Sequence, residues 1–336
     1  MIRRALLFLI LVAATLPAGA QERVTVATMR LTENGALFLA AARGYFKAEG
    51  IDVAMRAYPS PQAAVQALAE GDADFGLTSF TAAAFELAGQ GKIKAVAAQV
   101  REERGHEGNE IVASDMAYSR GLRKLEDLVT RSVAVTELGS NFHFQLGQIA
   151  RLHRFDPAFV TLKPLHSFEA IMEAVATNRA DAAILPAPYA RELLLTGRAH
   201  LLGWYSELDA QQLGALFASA KVLHGRRPMV SRFLRAYRRG TADYVAALLR
   251  HDSSGKRRSD AISVQAATEI AHYVHPGQSG ERPKRAVEGA AYSMDAQARL
   301  DFADLARQID RYKAQGLISK QIDPRNVVDL TFMAGR

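Results

Sequence analysis

The chain has 336 residues, 49% hydrophobic and 23% charged, with 24 Gly and 11 Pro. That balance excludes a disordered polar chain, and the length suffices for two domains with cores of their own. The absence of Cys excludes a disulfide scaffold, thiol catalysis, Cys-ligated zinc or iron–sulfur centres, and a lipid anchor on an N-terminal Cys.

The formal net charge is +7. Its clusters, Arg226-Arg227, Arg238-Arg239 and Lys256-Arg257-Arg258, have no aromatics interleaved among them, so a solvated basic surface is expected and nucleic acid is not. At the start, Arg3-Arg4 precede a short apolar run from Ala5 to Leu16, and Pro17-Ala18-Gly19-Ala20 supplies a small-x-small cleavage site. This reads as a signal peptide cut after Ala20, because the run is too short for a membrane span. A Cys-free, unanchored exported chain fits the periplasm, where ATP and nicotinamide cofactors are scarce. No cofactor is expected.

From Val24 onward the pattern alternates. Val24–Thr28 reads as a strand, Ala36–Ala48 as a helix, Ile51–Met55 as a strand and Gln62–Ala69 as a helix ended at Gly71. Asp74–Leu77 is a short strand, Thr81–Ala88 a helix and Ile93–Val100 a strand. The polar stretch Arg101–Asn109 reads as a break, after which the pattern restarts. Strands at Ser132–Thr136, Val160–Lys163 and Asp181–Leu185 enclose helices at Asn141–His153 and Ser167–Thr177. Val24 aligns with Val133 and Asp74 with Asp181 at nearly the same spacing, which suggests two lobes of similar build. The remainder reads as helical, over Met229–Leu249 (with Gly240 a tolerated interruption), Val264–Val274 and Ala296–Ala314. The expected fold class is α/β: two lobes, each a mostly parallel sheet flanked by helices. Residues 21–104 with 223–336 would form one lobe and 105–222 the other.

Ligands of open parallel sheets bind beyond the carboxyl ends of the strands, where helix N-termini present free N–H groups. Four loops meet that description: Arg30–Gly35, Thr78–Phe80, Thr136–His143 and Pro186–Tyr189. Their candidate contacts are Arg30 and Asn34; Thr78, Ser79 and Phe80; Gly139, Ser140, Asn141, Phe142 and His143; and Pro186 and Tyr189. Trp204 lies just beyond a further strand. Short hydroxyl and amide groups beside helix starts suit an oxyanion, and Arg30 could pair a carboxylate or sulfonate bidentately. The same Ser, Thr and Asn residues also suit helix capping. Phe80, Phe142, Tyr189 and Trp204 could sandwich a flat ring, or simply anchor helices to sheets.

Four motifs in order carry a resemblance. Ala42-Arg43-Gly44-Tyr45-Phe46-Lys47-Ala48-Glu49-Gly50-Ile51-Asp52-Val53 resembles the first helix-to-strand step of periplasmic solute-binding proteins of the nitrate/sulfonate/taurine and thiamine-pyrimidine (NMT1-like) type. Ala69-Glu70-Gly71-Asp72-Ala73-Asp74-Phe75-Gly76 is similar to that family's helix–turn–strand step. Leu125-Glu126-Asp127-Leu128, with Val133-Ala134-Val135 and Gly139-Ser140, resembles the opening of its second lobe. Gln315-Gly316-Leu317-Ile318 with Ile322-Asp323-Pro324 is similar to its closing helix and tail. The resemblance implies a monomeric two-lobed binding protein that closes by hinge motion on a small organic anion or heteroaromatic solute. It would deliver that solute to an ABC permease in the inner membrane with its cytoplasmic ATPase. It also implies that Ser79 and Ser140 lie in binding loops. Asn141-Phe142, where many members carry a small residue after Gly-Ser, argues against plain nitrate or taurine.

No catalytic constellation is visible. There is no Gly-x-Ser-x-Gly elbow, and His272 and His275 with Glu269 lack both the His-Glu-x-x-His spacing and a third ligand. Two alternatives stay open: an enzyme of the same fold, of thiamine-pyrimidine or menaquinone type, and a ligand-sensing subunit of a membrane receptor.

Overall fold

A computed structural model describes residues 21–253 and 257–332; the expected export signal over residues 1–20 lies outside them. The first repeat supplies β1 (Glu22–Thr28), β2 (Ile51–Ala57), β3 (Phe75–Ser79) and β4 (Ile93–Ala98). A short strand, β5 (Val100–Glu102), leads into β6 (Asn109–Ser114). The second repeat supplies β7 (Ser132–Val135), β8 (Thr161–Pro164), β9 (Ala182–Pro186) and β10 (Ala199–Trp204). The chain returns through β11 (Gln211–Gln212) to β12 (Gly214–Ser219), and β13 (Ser293–Met294) follows late.

These strands form two five-stranded sheets of the same topology. Their orders are β2-β1-β3-β12-β4 and β8-β7-β9-β6-β10. In each, the first repeat strand pairs in parallel with the next two, while one reversed strand, β12 or β6, pairs antiparallel with both its neighbours. Both sheets are therefore mostly parallel, as expected. Burial follows position: β3, β9 and β12 are buried throughout, whereas edge strands β2 and β8 are largely half-buried or exposed. Central strands covered on both faces read as apolar runs.

The paired aspartates show why the two repeats align. Asp74 accepts a hydrogen bond from the Thr25 amide at 2.9 Å, and Asp181 one from the Ser132 amide at 2.8 Å, each 49 residues from its partner. Each carboxylate thus ties the start of its lobe's third repeat strand to the first. Asp181 also accepts from the Ser132 hydroxyl. Asp181→Ala should therefore lower stability by about 2 kcal/mol, the usual cost of losing charge-assisted hydrogen bonds. A chemical denaturation curve with an unshifted midpoint would contradict that role.

Local signals set the helix ends. Ser60 caps Pro61–Glu70, which starts with Pro and stops at Gly71 in the left-handed region (φ 89°). Thr81, Ser140 and Ser167 cap Ala82–Gly89, Asn141–Leu152 and Phe168–Ala176 in the same way. The long helix Arg227–Leu248 crosses Gly35–Ala42 at Gly240, where a Cβ would stand 2.2 Å from the Ala36 carbonyl oxygen. Gly240 is therefore required by helix contact and is more than a tolerated interruption.

Two cores cover the faces of the first sheet and one serves the second lobe. Three sequence expectations shift. β12 lies in the first sheet, so the return crossing falls at Gln211–Leu213, ahead of the expected boundary near residue 222. The last long helix begins at Phe302, after its Asp301 cap, with Leu305, Ile309 and Tyr312 buried and Ala303 exposed. The strands β6, β10 and β12 were not expected from the sequence pattern. No helix among the described residues is long and apolar enough to cross a membrane.

Candidate functional site

The two lobes meet where the carboxyl ends of their parallel strands face each other. Direct contacts join them: the Ala82 amide donates to the Gly139 carbonyl at 2.8 Å, and the Ser60 hydroxyl donates to Glu137 at 2.7 Å. Gly139 has φ +78°, and a Cβ there would meet the Ala82 Cβ at 2.6 Å. Behind these contacts lies a narrow pocket between the lobes, with a cavity volume of about 10 Å³, room for about one water, so a solute enters only when the lobes part.

Both lobes line it. Met29, Glu33, Pro61, Ser79 and Leu213 come from one side, and Asn109, Thr136, Asn141, Phe142, Phe168 and Pro186 from the other. Phe142 meets Phe168 edge-on at 6.0 Å, and Phe168 stacks on Tyr189 at 5.1 Å, giving one aromatic wall. Asn109 and Asn141 are held by their neighbours. Asn109 donates to Gln145 and accepts from the Tyr292 hydroxyl, while Asn141 accepts from Gln211.

Three polar groups at the pocket are not held in this way. The Thr136 hydroxyl is buried without a hydrogen-bond partner among the described residues. Ser79, 6% exposed, makes no side-chain hydrogen bond among the described residues. Glu33 is 3% exposed and makes no hydrogen bond or ion pair among them. Burial alone pushes its carboxyl up to about 8, because removal from water penalises the charged form. Asn34 fixes the turn that presents Glu33 by donating to the Met29 carbonyl and accepting from Gln99. The lining contains no Arg, Lys or His.

Of the expected contact residues, the structure brings Ser79, Asn141, Phe142 and Pro186 to the pocket. The others lie elsewhere. Arg30 is exposed. Asn34 supports the turn behind Glu33, and Thr78 is buried, with its hydroxyl directed at the Pro61 carbonyl. Phe80 stacks on Phe85 inside the first lobe. Ser140 spends its hydroxyl on the His143 amide, and the His143 ring accepts from the Gly139 amide. Tyr189 stands behind Phe168, donating to Glu169. Trp204 lies beneath Arg191, which also ion-pairs with Glu107 and Glu110. Glu33 and Thr136 were missed, although both fall in loops the sequence singles out.

Among the described residues no group of three His, Asp or Glu side chains is placed to hold a metal, and neither pocket hydroxyl, Ser79 or Thr136, is hydrogen-bonded to Glu33. The arrangement can enclose and orient a solute. Two like lobes, joined by crossing strands and closing over a pocket at their strand ends, define the periplasmic-binding-protein fold. A family model described as NMT1/THI5 like matches residues 32–247, and the chain belongs to that family. Solved structures agree on the fold. The alkanesulfonate-binding protein SsuA from Xanthomonas axonopodis pv. citri, bound to MOPS, is 17% identical, with a TM-score of 0.70 over 91% of this chain and 98% of that one. The ligand-binding component of an ABC-type import system from Staphylococcus aureus, with zinc bound, is 14% identical, with a TM-score of 0.71 over 93% and 98%. The periplasmic nitrate-binding protein NrtA from Synechocystis PCC 6803 is 11% identical, with a TM-score of 0.66 over 90% and 83%. No curated protein sequence matches the chain.

Proposed function

We propose that the chain is the solute-binding component of an ABC-type importer, exported to the periplasm and acting as a monomer without enzymatic activity. It closes its lobes on one small solute and passes it to an inner-membrane permease driven by a cytoplasmic ATPase. The observation that carries this reading is the pocket itself, which takes its walls from the strand ends of both lobes. Similarity in fold to a ligand-binding component of an ABC-type import system and to alkanesulfonate- and nitrate-binding proteins supports it.

Of the two solute classes the sequence leaves open, the lining favours the flat heteroaromatic over the oxyanion. Phe142, Phe168, Met29 and the two prolines provide apolar faces for a ring. Three of the helix-start amides that could cradle an oxyanion are engaged: Ala82 donates to Gly139, Ala84 to the Thr81 hydroxyl and His143 to the Ser140 hydroxyl. No cationic side chain lines the pocket to balance a sulfonate or nitrate.

A thermal-shift screen of nitrate, alkanesulfonates, aromatic carboxylates and nitrogen heteroaromatics tests the reading. Heteroaromatics should raise the melting temperature, since a solute at a hundred times its Kd adds about 2.7 kcal/mol of stability. No stabilisation by any solute would refute binding; turnover of one would replace the reading with an enzyme. Ser79→Ala combined with Thr136→Ala should weaken capture roughly tenfold to a hundredfold at unchanged melting temperature, at about 1 kcal/mol per hydrogen bond. Unchanged affinity in the double variant would remove both hydroxyls from the site.

A further inference from the structure

Glu33 is the one ionisable side chain among the pocket-lining residues, and nothing in the described protein answers it. The groups whose titration senses it are Glu102 on β5, Tyr189 on the helix Ala187–Leu195, Tyr244 on Arg227–Leu248 and Tyr292 beside β13. All are acids or phenols, and none is a cation. Glu102 is itself buried, its carboxyl likewise pushed up to about 8, and it accepts from the Asn109 amide and Gln145; no hydrogen bond joins it to Glu33. An isolated buried carboxyl is costly, and protein-internal packing would be served as well by Gln. Its position at the pocket wall gives the cost a use.

Resting on the cleft being the solute site, we propose that Glu33 recognises a positively charged nitrogen, so that the cargo is a small organic cation with a flat apolar body and an N–H donor. With the lobes parted to admit it, the lining supplies the complementary groups. Phe142 and Phe168 face the apolar body, Ser79 and Thr136 offer hydroxyls to further polar atoms, and Glu33 takes the N–H in a charge-assisted bond. Because the buried carboxyl holds its proton up to about pH 8, capture below that pH displaces one proton: the cation enters, the carboxylate forms and the proton leaves to solvent. Affinity then rises with pH towards 8, by up to tenfold per unit, and flattens above.

The test uses the full mature chain and four probes: benzamidinium and acetamidinium, which stay charged between pH 6 and 9, and the neutral and anionic isosteres benzamide and benzoate. Calorimetry should rank an amidinium above benzamide and benzamide above benzoate. The binding heat at pH 6.5 should vary with buffer ionisation enthalpy, reporting up to one proton released. Glu33→Gln should abolish the rank and the pH slope. It should also raise the melting temperature of the free protein more at pH 9 than at pH 5, because a carboxyl whose folded-state value is raised loses its stabilising contribution as pH climbs through 8. That second readout holds even if the variant binds nothing. Tightest binding by benzoate, a rank that survives in Glu33→Gln, or no amidinium binding at all would overturn the cation assignment. If the broad solute screen still yields a ligand, the binding-protein reading survives that failure; if it yields none, both fall.

Discussion

Gly139→Leu is expected to leave both lobes folded and to weaken solute capture at least about a hundredfold. The Gly139 carbonyl accepts from Ala82 across the cleft, and a Cβ would already overlap the Ala82 Cβ at 2.6 Å. A leucine side chain adds volume at the point of contact, and φ +78° suits no branched or bulky residue. The lobes would then stop short of closure, and the solute would contact one wall instead of two. Each 1.4 kcal/mol of lost contact is a factor of ten in Kd. Small-angle scattering gives the decisive comparison: the unaltered protein should contract on adding solute and the variant should not. A variant that contracts and binds normally would show that Gly139 does not govern closure.

Tyr312→Ala should carry the largest stability penalty, about 3–5 kcal/mol, as for other buried aromatics cut to Ala. Its ring is fully buried. It stacks on Phe144 of Asn141–Leu152 at 4.5 Å, meets Phe85 edge-on at 5.1 Å, and its hydroxyl donates to the Phe80 carbonyl. Phe144 belongs to a helix of the second lobe, whereas Phe85 and Phe80 belong to the first. Removing the ring therefore opens a cavity and loosens a joint between lobes. Thermal unfolding should show a lowered midpoint, and capture should weaken as well. A midpoint within about a degree of the unaltered protein would exclude this joint as a main source of stability.

Much of this was legible in the sequence, for physical reasons. Asp74 and Asp181 mark equivalent positions because each fixes the same strand start, and the helices from Pro61, Ala82, Asn141 and Phe168 begin where their caps stand. The reversed strands β6 and β12 were not legible. Gly214–Ser219 is buried on both faces, so it carries neither alternation nor a helical period. At the cleft, the sequence locates the loops, and their oxyanion-like chemistry points to Arg30 and the serines; Glu33 stands out only through its burial at the pocket wall. Hydroxyls that cap helices and hydroxyls that face a solute have the same sequence signature. Only the structure separates Ser140, engaged with His143, from Thr136, left without a partner.

The crossing strands dictate an order of assembly. All five strands of the second sheet lie in the unbroken stretch 109–204, whereas the first sheet keeps a gap between β3 and β4 until β12 arrives from beyond it. During synthesis, the inserted half can therefore mature while the half begun earlier still waits for its central ribbon. That late, long-range pairing is slow by nature, so the nascent chain stays incompletely folded through most of its emergence.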